Sequence, residues 1–380
     1  MSLLHITSSH DNQDNRICLK QAVTMARFGF SVTVLGIGVD TPDFHGVQLL
    51  GLGPARSRGA RLVIRPWRIF FRALFGKADI YQFHDVEMLP TAFVLALFGR
   101  TVVFDVHENL SAVIEQRTWL PSPLKPVLAW ILLRLERLCV RRFCLVITAS
   151  LGIAERYRGY AKQLLVLPNY PRLAETGVSE STSVDSTEED FVVVSFGGTH
   201  ERSGCAEIVA AFSLLEDSPD IRFVLGGGGV GSHVHHRLQR ASGWSLVQYV
   251  GRVTREEMRE WLNRASVAVV IFADMPNSRE IRSNRLYEAM AAGLPVLVAG
   301  HGEWPDFVAR HGCGISVDEK DPSAIAGAIL TLRNNPKLRE EMGARGRAAI
   351  LSELNWDAHE SLLQEALGSC LPRSGALGSQ

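Results

Sequence analysis

Short apolar runs alternate with longer amphipathic stretches along the first half of the chain. Short β-branched runs are typical of strands in a buried parallel sheet, and helical periodicity over ten or more residues indicates the helices that cover it. This pattern predicts strands at residues 3–7, 31–36, 79–83, 101–105, 145–149 and 164–167. It predicts helices at residues 15–28, 87–98 and 123–142. Because strands separated by helices form βαβ units, the first half is predicted to be an α/β domain.

The same alternation restarts after a polar segment in the middle of the chain. Residues 172–190 are rich in serine, threonine, aspartate and glutamate, so we interpret them as a linker. Strands are predicted again at residues 191–196, 221–225, 245–250, 267–272, 295–298 and 314–317. The chain is therefore predicted to contain two α/β domains, 1–171 and 191–354. A C-terminal helix and tail follow at 355–380, with packing back on the first domain as one option.

Charge is distributed unevenly between the two halves, although the formal net charge is zero. The chain up to Pro171 has 20 basic and 12 acidic residues, and the remainder has 20 basic and 28 acidic residues. Basic surfaces attract phosphates, nucleic acids and anionic lipid headgroups. The asymmetry predicts domains with different partners, and an incidental distribution of solubilising charges is the alternative.

Cysteine usage and the N-terminal sequence are typical of a cytoplasmic protein. The six cysteines are scattered and include no CxxC pair or spaced Cys/His set of the kind that binds zinc, so we expect reduced packing residues. The chain starts with an apolar, strand-like segment and has no basic region or cleavage site of a secretory signal. The longest strongly apolar run, residues 88–98, is too short to cross a bilayer.

Residues 278–296 contain the most informative pattern of charged side chains. Glu280 precedes a helix predicted to begin near Ser283, and Arg285 and Glu288 lie within that helix. A helix N-terminus offers unpaired N–H groups and a positive dipole end, which suit a diphosphate, and Arg285 adds a full charge. At this spacing Glu288 can hold ribose hydroxyls, and Glu280 can reach a sugar beyond the phosphates. Two solvated glutamates on a surface helix are the structural alternative.

The Glu-x7-Glu spacing, followed by Ala-Met-Ala-Ala-Gly-Leu-Pro-Val, resembles the donor-site motif of the retaining GT-B glycosyltransferases of family 4, also called group 1. Further segments resemble the bacterial polysaccharide-assembly branch of that family, in the same order along nearly the whole chain: residues 79–90, 103–109, 167–171, 251–257 and the tail around 355–356. The resemblance implies the GT-B fold, in which two Rossmann-like domains face each other across a cleft. The first domain would bind the acceptor and the second the nucleotide-sugar donor.

The resemblance also implies roles for residues at matching positions. Glu280 would contact the hydroxyls of the donor sugar, and Glu288 would bind the ribose. Arg285 and neighbouring backbone amides would bind the diphosphate, and the turn at 251–253 would meet the base. The residues implied to bind the donor nucleotide are Arg202, Gly251, Arg252, Val253, Ser283, Asn284, Arg285 and Glu288.

On the acceptor side, His107 stands where the family has a histidine near the reaction centre. A hydrogen-bonded structural histidine is the alternative interpretation. Together with Glu280 it forms the predicted catalytic pair. The remaining residues predicted to line the acceptor side or the cleft are Asn12, Arg16, His84, Asp85 and Glu108.

Two departures from the family pattern affect these predictions. The family usually has basic residues after the first strand of the second domain, whereas here Ser203 occupies the basic position and Arg202 lies one residue earlier. Either Arg202 swings in, or Arg285 binds the pyrophosphate nearly alone. The first loop, residues 8–16, has polar side chains and Arg16 where many relatives have glycines. We predict that this loop contacts the acceptor or a donor phosphate.

A glycine-rich turn at residues 226–231 satisfies GxGxxG and by itself suggests a dinucleotide cofactor. No acidic residue closes a following strand in the usual way, so a turn near the donor site is favoured over that reading. The chain contains no Asp-x-Asp, which argues against a metal-bridged diphosphate. We therefore predict no metal and no cofactor, with a UDP- or GDP-type sugar as co-substrate.

Basic residues surround aromatic and aliphatic side chains between residues 56 and 77. This composition is typical of a helix at the surface of an anionic membrane, and an ordinary helix covering the sheet explains it equally well. The basic residues at 132–142 favour peripheral attachment at the inner face of the plasma membrane. Nucleic-acid binding is not predicted, because no recognisable binding module accompanies the charge.

The sequence thus predicts a retaining, metal-independent hexosyltransferase. It would move a sugar from a nucleotide diphosphate to a saccharide or a polyprenyl-diphosphate-linked acceptor, in the synthesis of cell-surface polysaccharide or glycoconjugate. Two alternatives are a GT-B nucleotide-sugar epimerase that transfers nothing and a catalytically silent partner subunit. The displaced Arg202 supports the silent subunit.

Overall fold

The chain divides into two structural units. The computed structural model describes residues 1–53, 65–106, 114, 121–176, 190–275, 278–279 and 283–371. The first unit comprises Met1–Asn169 and the tail from His359, and the second comprises Tyr170–Ala358. Each unit contains its own mainly parallel sheet, which confirms the predicted α/β class.

An eight-stranded sheet forms the centre of the first unit, in the order β3-β4-β2-β1-β5-β6-β7-β8. All neighbours pair in parallel except β3 and β4, which pair antiparallel. The central strands are buried on both faces, as parallel strands covered by helices are. The strands are β1 (Ser2–Asp11), β2 (Ser31–Ile37), β3 (Thr41–Phe44), β4 (Val47–Gly51), β5 (Ile80–Phe83), β6 (Thr101–Val106), β7 (Leu145–Thr148) and β8 (Leu164–Val166).

The β3–β4 hairpin was not among the predicted strands. Its first strand, Thr-Pro-Asp-Phe, contains two residues that are rare in strands, and it lies at the sheet edge, where proline is tolerated. Its second strand is short and pairs with β2 over Val47–Gly51. Local propensity is therefore a poor guide here, because pairing with β2 stabilises the hairpin.

Helices on the first unit connect the parallel strands. A π-helical segment, Asn15–Ala22, begins at the cap residue Asp14 and continues into a short α-helix. The Asp14 carboxylate accepts the backbone N–H groups of Arg16 and Ile17. The helices before the linker are α1 (Val23–Arg27), α2 (Arg65–Phe75), α3 (Leu89–Leu97), α4 (Leu124–Val140) and α5 (Leu151–Glu155).

A six-stranded, fully parallel sheet forms the second unit, in the order β11-β10-β9-β12-β13-β14. Successive residues of a strand contribute to opposite faces, and in β9 Val193 belongs to one hydrophobic cluster and Val194 to the other. This is the strand order of a Rossmann domain. The strands are β9 (Phe191–Ser195), β10 (Ile221–Gly226), β11 (Val247–Gly251), β12 (Val267–Val270), β13 (Val296–Ala299) and β14 (Gly314–Val317).

The helices of the second unit cover both faces of this sheet. A one-turn helix, α6, lies within the predicted linker 172–190, of which residues 177–189 are outside the described part of the chain. None of the helices in the described residues of either unit is both long and apolar enough to cross a membrane. The helices are α6 (Leu173–Thr176), α7 (Cys205–Ser213), α8 (His233–Leu238), α9 (Arg255–Arg264), α10 (Asn284–Ala291), α11 (Trp304–His311), α12 (Pro322–Asn334) and α13 (Pro336–Ser352).

The C-terminal helix α14 (Glu360–Ser369) belongs to the first unit. The Glu360 carboxylate accepts hydrogen bonds from the Thr24 hydroxyl and the Arg27 guanidinium, each at 3.0 Å. Beyond α14, Cys370 forms a disulfide with Cys144. The expectation that all six cysteines are reduced is wrong for this pair, because the returning tail joins residues that are 226 positions apart. Cys18, Cys139, Cys205 and Cys313 are buried thiols.

Gly343 of α13 offers a test of how closely this helix packs on the turn after α10. A Cβ atom at Gly343 would lie 1.9 Å from the Gly293 carbonyl oxygen, so the Gly343→Ala variant forces backbone apart. We expect a loss of about 2 kcal/mol or more in the free energy of unfolding, measured by urea denaturation.

The matched control is Gly327→Ala in α12, where a Cβ atom would meet no other atom within 4 Å. There alanine should stabilise the protein by about 0.5–1 kcal/mol through its helix propensity. Equal effects of the two substitutions would contradict the packing described.

Candidate active site

Each parallel sheet has a point where the strand order reverses. This point lies between β1 and β5 in the first unit and between β9 and β12 in the second. Ligands of such sheets bind beyond the carboxyl ends of the strands at this point. The loops that follow these four strands are therefore the places to look for functional side chains.

Asp85, directly after β5, is the centre of a polar cluster in the first unit. Its carboxylate accepts hydrogen bonds from the Thr7 hydroxyl at 2.7 Å, the Ser8 N–H at 2.5 Å and the Ser9 hydroxyl at 2.5 Å. The His10 Nδ1 lies 2.9 Å from the same carboxylate. Burial opposes ionisation of Asp85, but these hydrogen bonds and the charge of His10 outweigh it and hold the pKa of Asp85 well below its ordinary value. Asp85 therefore fixes the C-terminal part of β1.

His10 is the accessible member of the Asp85 cluster. Its side chain is 41% exposed, whereas that of Asp85 is 3% exposed. The hydrogen bond that the His10 ring donates to the Asp85 carboxylate raises the pKa of His10, and burial opposes the shift only in part. Sequence reasoning did not single out His10. The available signal was that His10 and the His84-Asp85 pair come shortly after the two predicted strands, 3–7 and 79–83, that meet at the switch point.

A second, fully buried carboxylate, Asp105 in β6, organises the polar interior behind this edge. The Arg16 guanidinium donates to it at 2.8 and 3.2 Å, and the Gln21 amide donates at 2.6 Å. His84 Nδ1 lies 3.1 Å from Asp105, and its Nε2 lies 3.0 Å from His5 Nδ1. Burial, followed by the nearby His84, lowers the pKa of His5. The network holds β1, β5, β6 and the first helix together.

This network changes the interpretation of Arg16 and His84, which the sequence placed on the acceptor side. The Arg16 guanidinium is 5% exposed and also donates to the Leu167 carbonyl at 2.8 Å. His84 has no exposed side-chain surface. Direct contact of the Arg16 guanidinium with a phosphate is therefore not available in this structure. Both residues position the loops instead.

Asn12 is likewise buried. Its side-chain amide donates to the Val39 carbonyl at 2.9 Å, and its backbone N–H donates to the Ile37 carbonyl at 2.7 Å. These bonds attach the first loop to the end of β2. His107 and Glu108, the other predicted residues of this unit, lie outside the described residues.

In the second unit, α10 begins as the sequence predicted. Ser283 is the cap residue, and its hydroxyl accepts the Arg285 N–H at 3.3 Å. Arg285 lies in the first turn, and Glu288 follows one turn later. Glu288 lines a pocket together with Thr176, Arg255 and other residues of α6 and α9. Glu280 lies outside the described residues, and Asn284 is the first helical residue.

The Arg285 guanidinium lies at the carboxyl end of β9. A Cβ atom at Gly197 would be 3.4 Å from its Nη1, and the guanidinium carbon lies 6.0 Å from the centre of the Phe272 ring, which follows β12. Burial lowers the pKa of Arg285, and the nearby Glu288 opposes the shift. A desolvated guanidinium at the switch point, in the first turn of a helix, is suited to an anionic ligand.

Glycine-rich loops after β9 and β10 pack against each other beside Arg285. The Gly198 N–H donates to the Gly226 carbonyl at 2.9 Å, and a Cβ atom at Gly198 would lie 2.6 Å from the Gly228 carbonyl oxygen. Arg252, after β11, contacts Gly228, where a Cβ atom would be 3.2 Å from its Nε. Gly251 has a positive φ of 69°, so the predicted 251–253 turn directly follows the strand. Val253 is half-buried.

The departure at Arg202 and Ser203 has a structural explanation. The Ser203 hydroxyl lies within 2.8 Å of the Gly198 carbonyl oxygen and 2.7 Å of the His200 carbonyl oxygen, and its side chain is buried. Arg202 is exposed on the same short 3₁₀ turn. Ser203 therefore stabilises the loop through these contacts, at the position where the family usually has a basic residue.

Metal-binding geometry is absent from the part of the chain that the structure describes. No three His, Cys, Asp or Glu side chains there are grouped to hold an ion. The acidic residues of the first unit that cluster, Asp85 and Asp105, are each bonded to cationic or hydroxyl donors.

Two family models match successive parts of the chain. The family described as "Glycosyl transferases group 1" matches residues 179–349, and the "Glycosyl transferase 4-like domain" matches residues 15–169. Together they cover most of both structural units.

Curated relatives match about half of the chain. A D-inositol 3-phosphate glycosyltransferase of Streptomyces avermitilis is 29% identical over 46% of this chain and 39% of its own length. The lipopolysaccharide core biosynthesis glycosyltransferase LpsD of Rhizobium meliloti is 25% identical over 54% of this chain and 57% of its own length. The chain thus spans less than two thirds of the length of these relatives.

Solved structures share the fold over nearly the whole chain. Sucrose-phosphate synthase of Thermosynechococcus elongatus has a TM-score of 0.74 at 19% identity, covering 97% of this chain and 98% of the other. HepE of Anabaena in complex with UDP has a TM-score of 0.74 at 16% identity, covering 97% and 99%. These likenesses establish the fold, and the family matches establish descent. The chain belongs to the group 1, family 4 type of glycosyltransferases and has the GT-B fold.

Proposed function

We propose that the protein is a retaining glycosyltransferase that moves a hexose-type sugar from a UDP- or GDP-type donor to a saccharide or lipid-linked acceptor. The observation that carries the proposal is the position of Arg285. Its half-buried guanidinium lies in the first turn of α10 and beside Gly197, at the carboxyl end of β9 where the strand order reverses. HepE of Anabaena, a protein with this fold, has been solved in complex with UDP and with UDP-glucose.

The donor would be held by the second unit. Arg285 and the N–H groups of Ser283 and Asn284 would bind the diphosphate. The Glu288 carboxylate would accept hydrogen bonds from the ribose hydroxyls. Backbone groups of the 251–253 turn would meet the base, and Glu280 would contact the sugar. Charge on the leaving nucleoside diphosphate would then be met by a guanidinium and a helix dipole, without a metal ion.

The acceptor would be held by the first unit. The acceptor hydroxyl oxygen would attack the anomeric carbon on the face from which the diphosphate leaves, and its proton would pass to the leaving phosphate. We assign His10, oriented by Asp85, to hydrogen bonding with the acceptor, because it is the exposed member of a cluster at the switch point. His107 would act near the same centre.

A catalytically silent subunit is the second candidate, and the buried Ser203 in place of a basic residue favours it. Hydrolysis of the donor separates the two candidates. A transferase turns over nucleotide sugar slowly without an acceptor, and Glu280→Ala abolishes this turnover. A silent subunit binds the nucleotide and shows no turnover with or without an acceptor.

Arg285→Ala should reduce kcat/KM for donor turnover by about 10²–10³-fold, the usual effect of removing one preorganised charge from a developing anion. Arg202→Ala is the matched control. Because Arg202 is exposed and Arg285 is desolvated, Arg202→Ala should stay close to the wild type. A comparable loss in both variants would mean that Arg202 swings in, and an active Arg285→Ala variant would refute the proposed diphosphate site.

His10 should titrate above its ordinary pKa of 6.5, because Asp85 stabilises the charged ring. Asp85→Asn removes that acceptor charge, so the pKa of His10, followed by NMR, should fall. The folded pKa is raised, so the stabilisation from His10 is fully present below pH 6.5 and disappears as pH rises through the raised value. The difference in unfolding free energy between the wild type and His10→Gln should shrink accordingly. An unchanged titration in Asp85→Asn would rule out the pair.

A further inference from the structure

The long helix α4 directs an apolar stripe toward solvent. Trp130 is 59% exposed, and Val127, Leu135 and Leu138 are exposed to a similar extent. These positions recur every three to five residues, so they lie along one face of the helix. The buried residues of α4 lie on its other side and include Glu136, whose carboxylate accepts the Tyr157 hydroxyl at 2.5 Å. The usual arrangement, with the apolar face on the sheet and the polar face outside, is therefore reversed over part of this helix.

The described part of α2 has a second apolar stripe. Trp67, Phe71 and Phe75 are four residues apart and all exposed, Phe75 to 79%. Successive rings stack at 6.2 and 6.4 Å between centroids. Ile69 and Ala73, on the opposite side, are fully buried against the first unit. The helix α2 therefore packs on the core of the first unit with small and aliphatic side chains, and its large aromatic rings are exposed to solvent.

The two stripes are connected through α3. This helix contacts both α2 and α4, and Leu97 and Phe98 at its C-terminal end are exposed as well. We call the joint surface the three-helix apolar face. Large exposed apolar surfaces are rare on monomeric proteins and mark interaction sites. It consists of Trp67, Phe71, Phe75, Leu97, Phe98, Leu124, Val127, Trp130, Ile131, Leu135 and Leu138.

Positive charge borders the three-helix apolar face. Across α2, α3 and α4 the only acidic residue is Glu136, which is buried, whereas basic residues occur on α2 and along α4. The Arg134 guanidinium lies 5.2 Å from the centre of the Trp130 ring, within the apolar stripe. Arginine and tryptophan side by side suit the boundary between headgroups and acyl chains, where one part of each side chain is apolar and the other polar.

We propose that the three-helix apolar face docks the protein on an anionic lipid bilayer, with its aromatic and aliphatic side chains at the level of the acyl chains and its arginines among the headgroups. The positive charge around the three-helix apolar face favours an anionic bilayer as its binding partner. A second copy of the chain would bring the same positive charge opposite itself in a symmetric dimer, whereas acidic headgroups complement it. The centre of the surface is α4, so the region extends well beyond the 56–77 stretch, of which residues 56–64 lie outside the described chain.

The proposal extends the proposed function by bringing the first unit to lipid-linked acceptors, but its test needs no enzymatic activity. The full-length protein is mixed with vesicles of phosphatidylcholine alone, or with about 30 mol% phosphatidylglycerol, and bound protein is measured by flotation. We expect binding to the anionic vesicles and at least about tenfold weaker binding to the neutral ones. Trp130→Glu should weaken the anionic binding by about tenfold or more.

Leu351→Glu is the matched control, because Leu351 is 48% exposed on α13 of the second unit, which contributes no residue to this face. It should bind vesicles within about twofold of the wild type. If Trp130→Glu fails to fold, Trp130→Phe serves instead: brominated lipids should quench wild-type fluorescence and quench this variant less. Stabilisation by nucleotide sugar, measured on the same variants, reports on the donor site separately.

Three outcomes would overturn the proposal. The first is no binding to either vesicle, and the second is equal binding to both. The third is a dimer in solution that Trp130→Glu dissociates without any vesicle binding, which would assign the face to a second copy of the chain.

Discussion

A parallel sheet has to be covered on both faces, because its strands direct apolar side chains to each face. The helical crossover connections between successive strands provide that cover. This constraint fixes most of the molecule. In the second unit Val193 and Val194 enter separate hydrophobic clusters, and helices are needed over each. The crossovers also place all loops that follow the carboxyl ends of the strands at the same edge of the sheet. The strand order reverses at one point along that edge. The position of Arg285 beside Gly197, and of His10 beside Asp85, follows from this topology.

The charged side chains at that edge of the sheet differ between the two units. In the first unit, Asp85 and Asp105 are buried, and each is matched by several donors, so the loops around them are held in one arrangement. Breaking such a buried network leaves an unpaired charge and is costly. In the second unit, the charge at this edge is the half-buried Arg285 cation, with Glu288 one turn away. One unit thus carries a rigid, internally satisfied polar edge, and the other carries a cation that a diphosphate would complement.

The sequence predicted the α/β class, most strands and the start of α10, because these depend on local periodicity and on cap chemistry at Ser283. It misjudged what depends on distant partners. Arg16 was predicted to line the acceptor side or the cleft, and only its pairing with Asp105, 89 residues away, identifies it as a positioning residue. The same holds for Cys144, whose partner is in the C-terminal tail. Periodicity predicted the helix α4 but not that several of its apolar side chains face solvent, because that depends on how the helix packs on the rest of the unit.

We propose a nucleotide-sugar site in the second unit that needs no metal ion. The most direct test is thermal unfolding of the full-length protein in EDTA with a series of nucleoside diphosphate sugars. A ligand that binds only the folded state stabilises it by about 2.7 kcal/mol at one hundred times its Kd. We expect one UDP- or GDP-type sugar to raise Tm in a concentration-dependent way and Arg285→Ala to lose that response. No stabilisation by any of these sugars, or stabilisation that appears only when a divalent metal is added, would contradict the account.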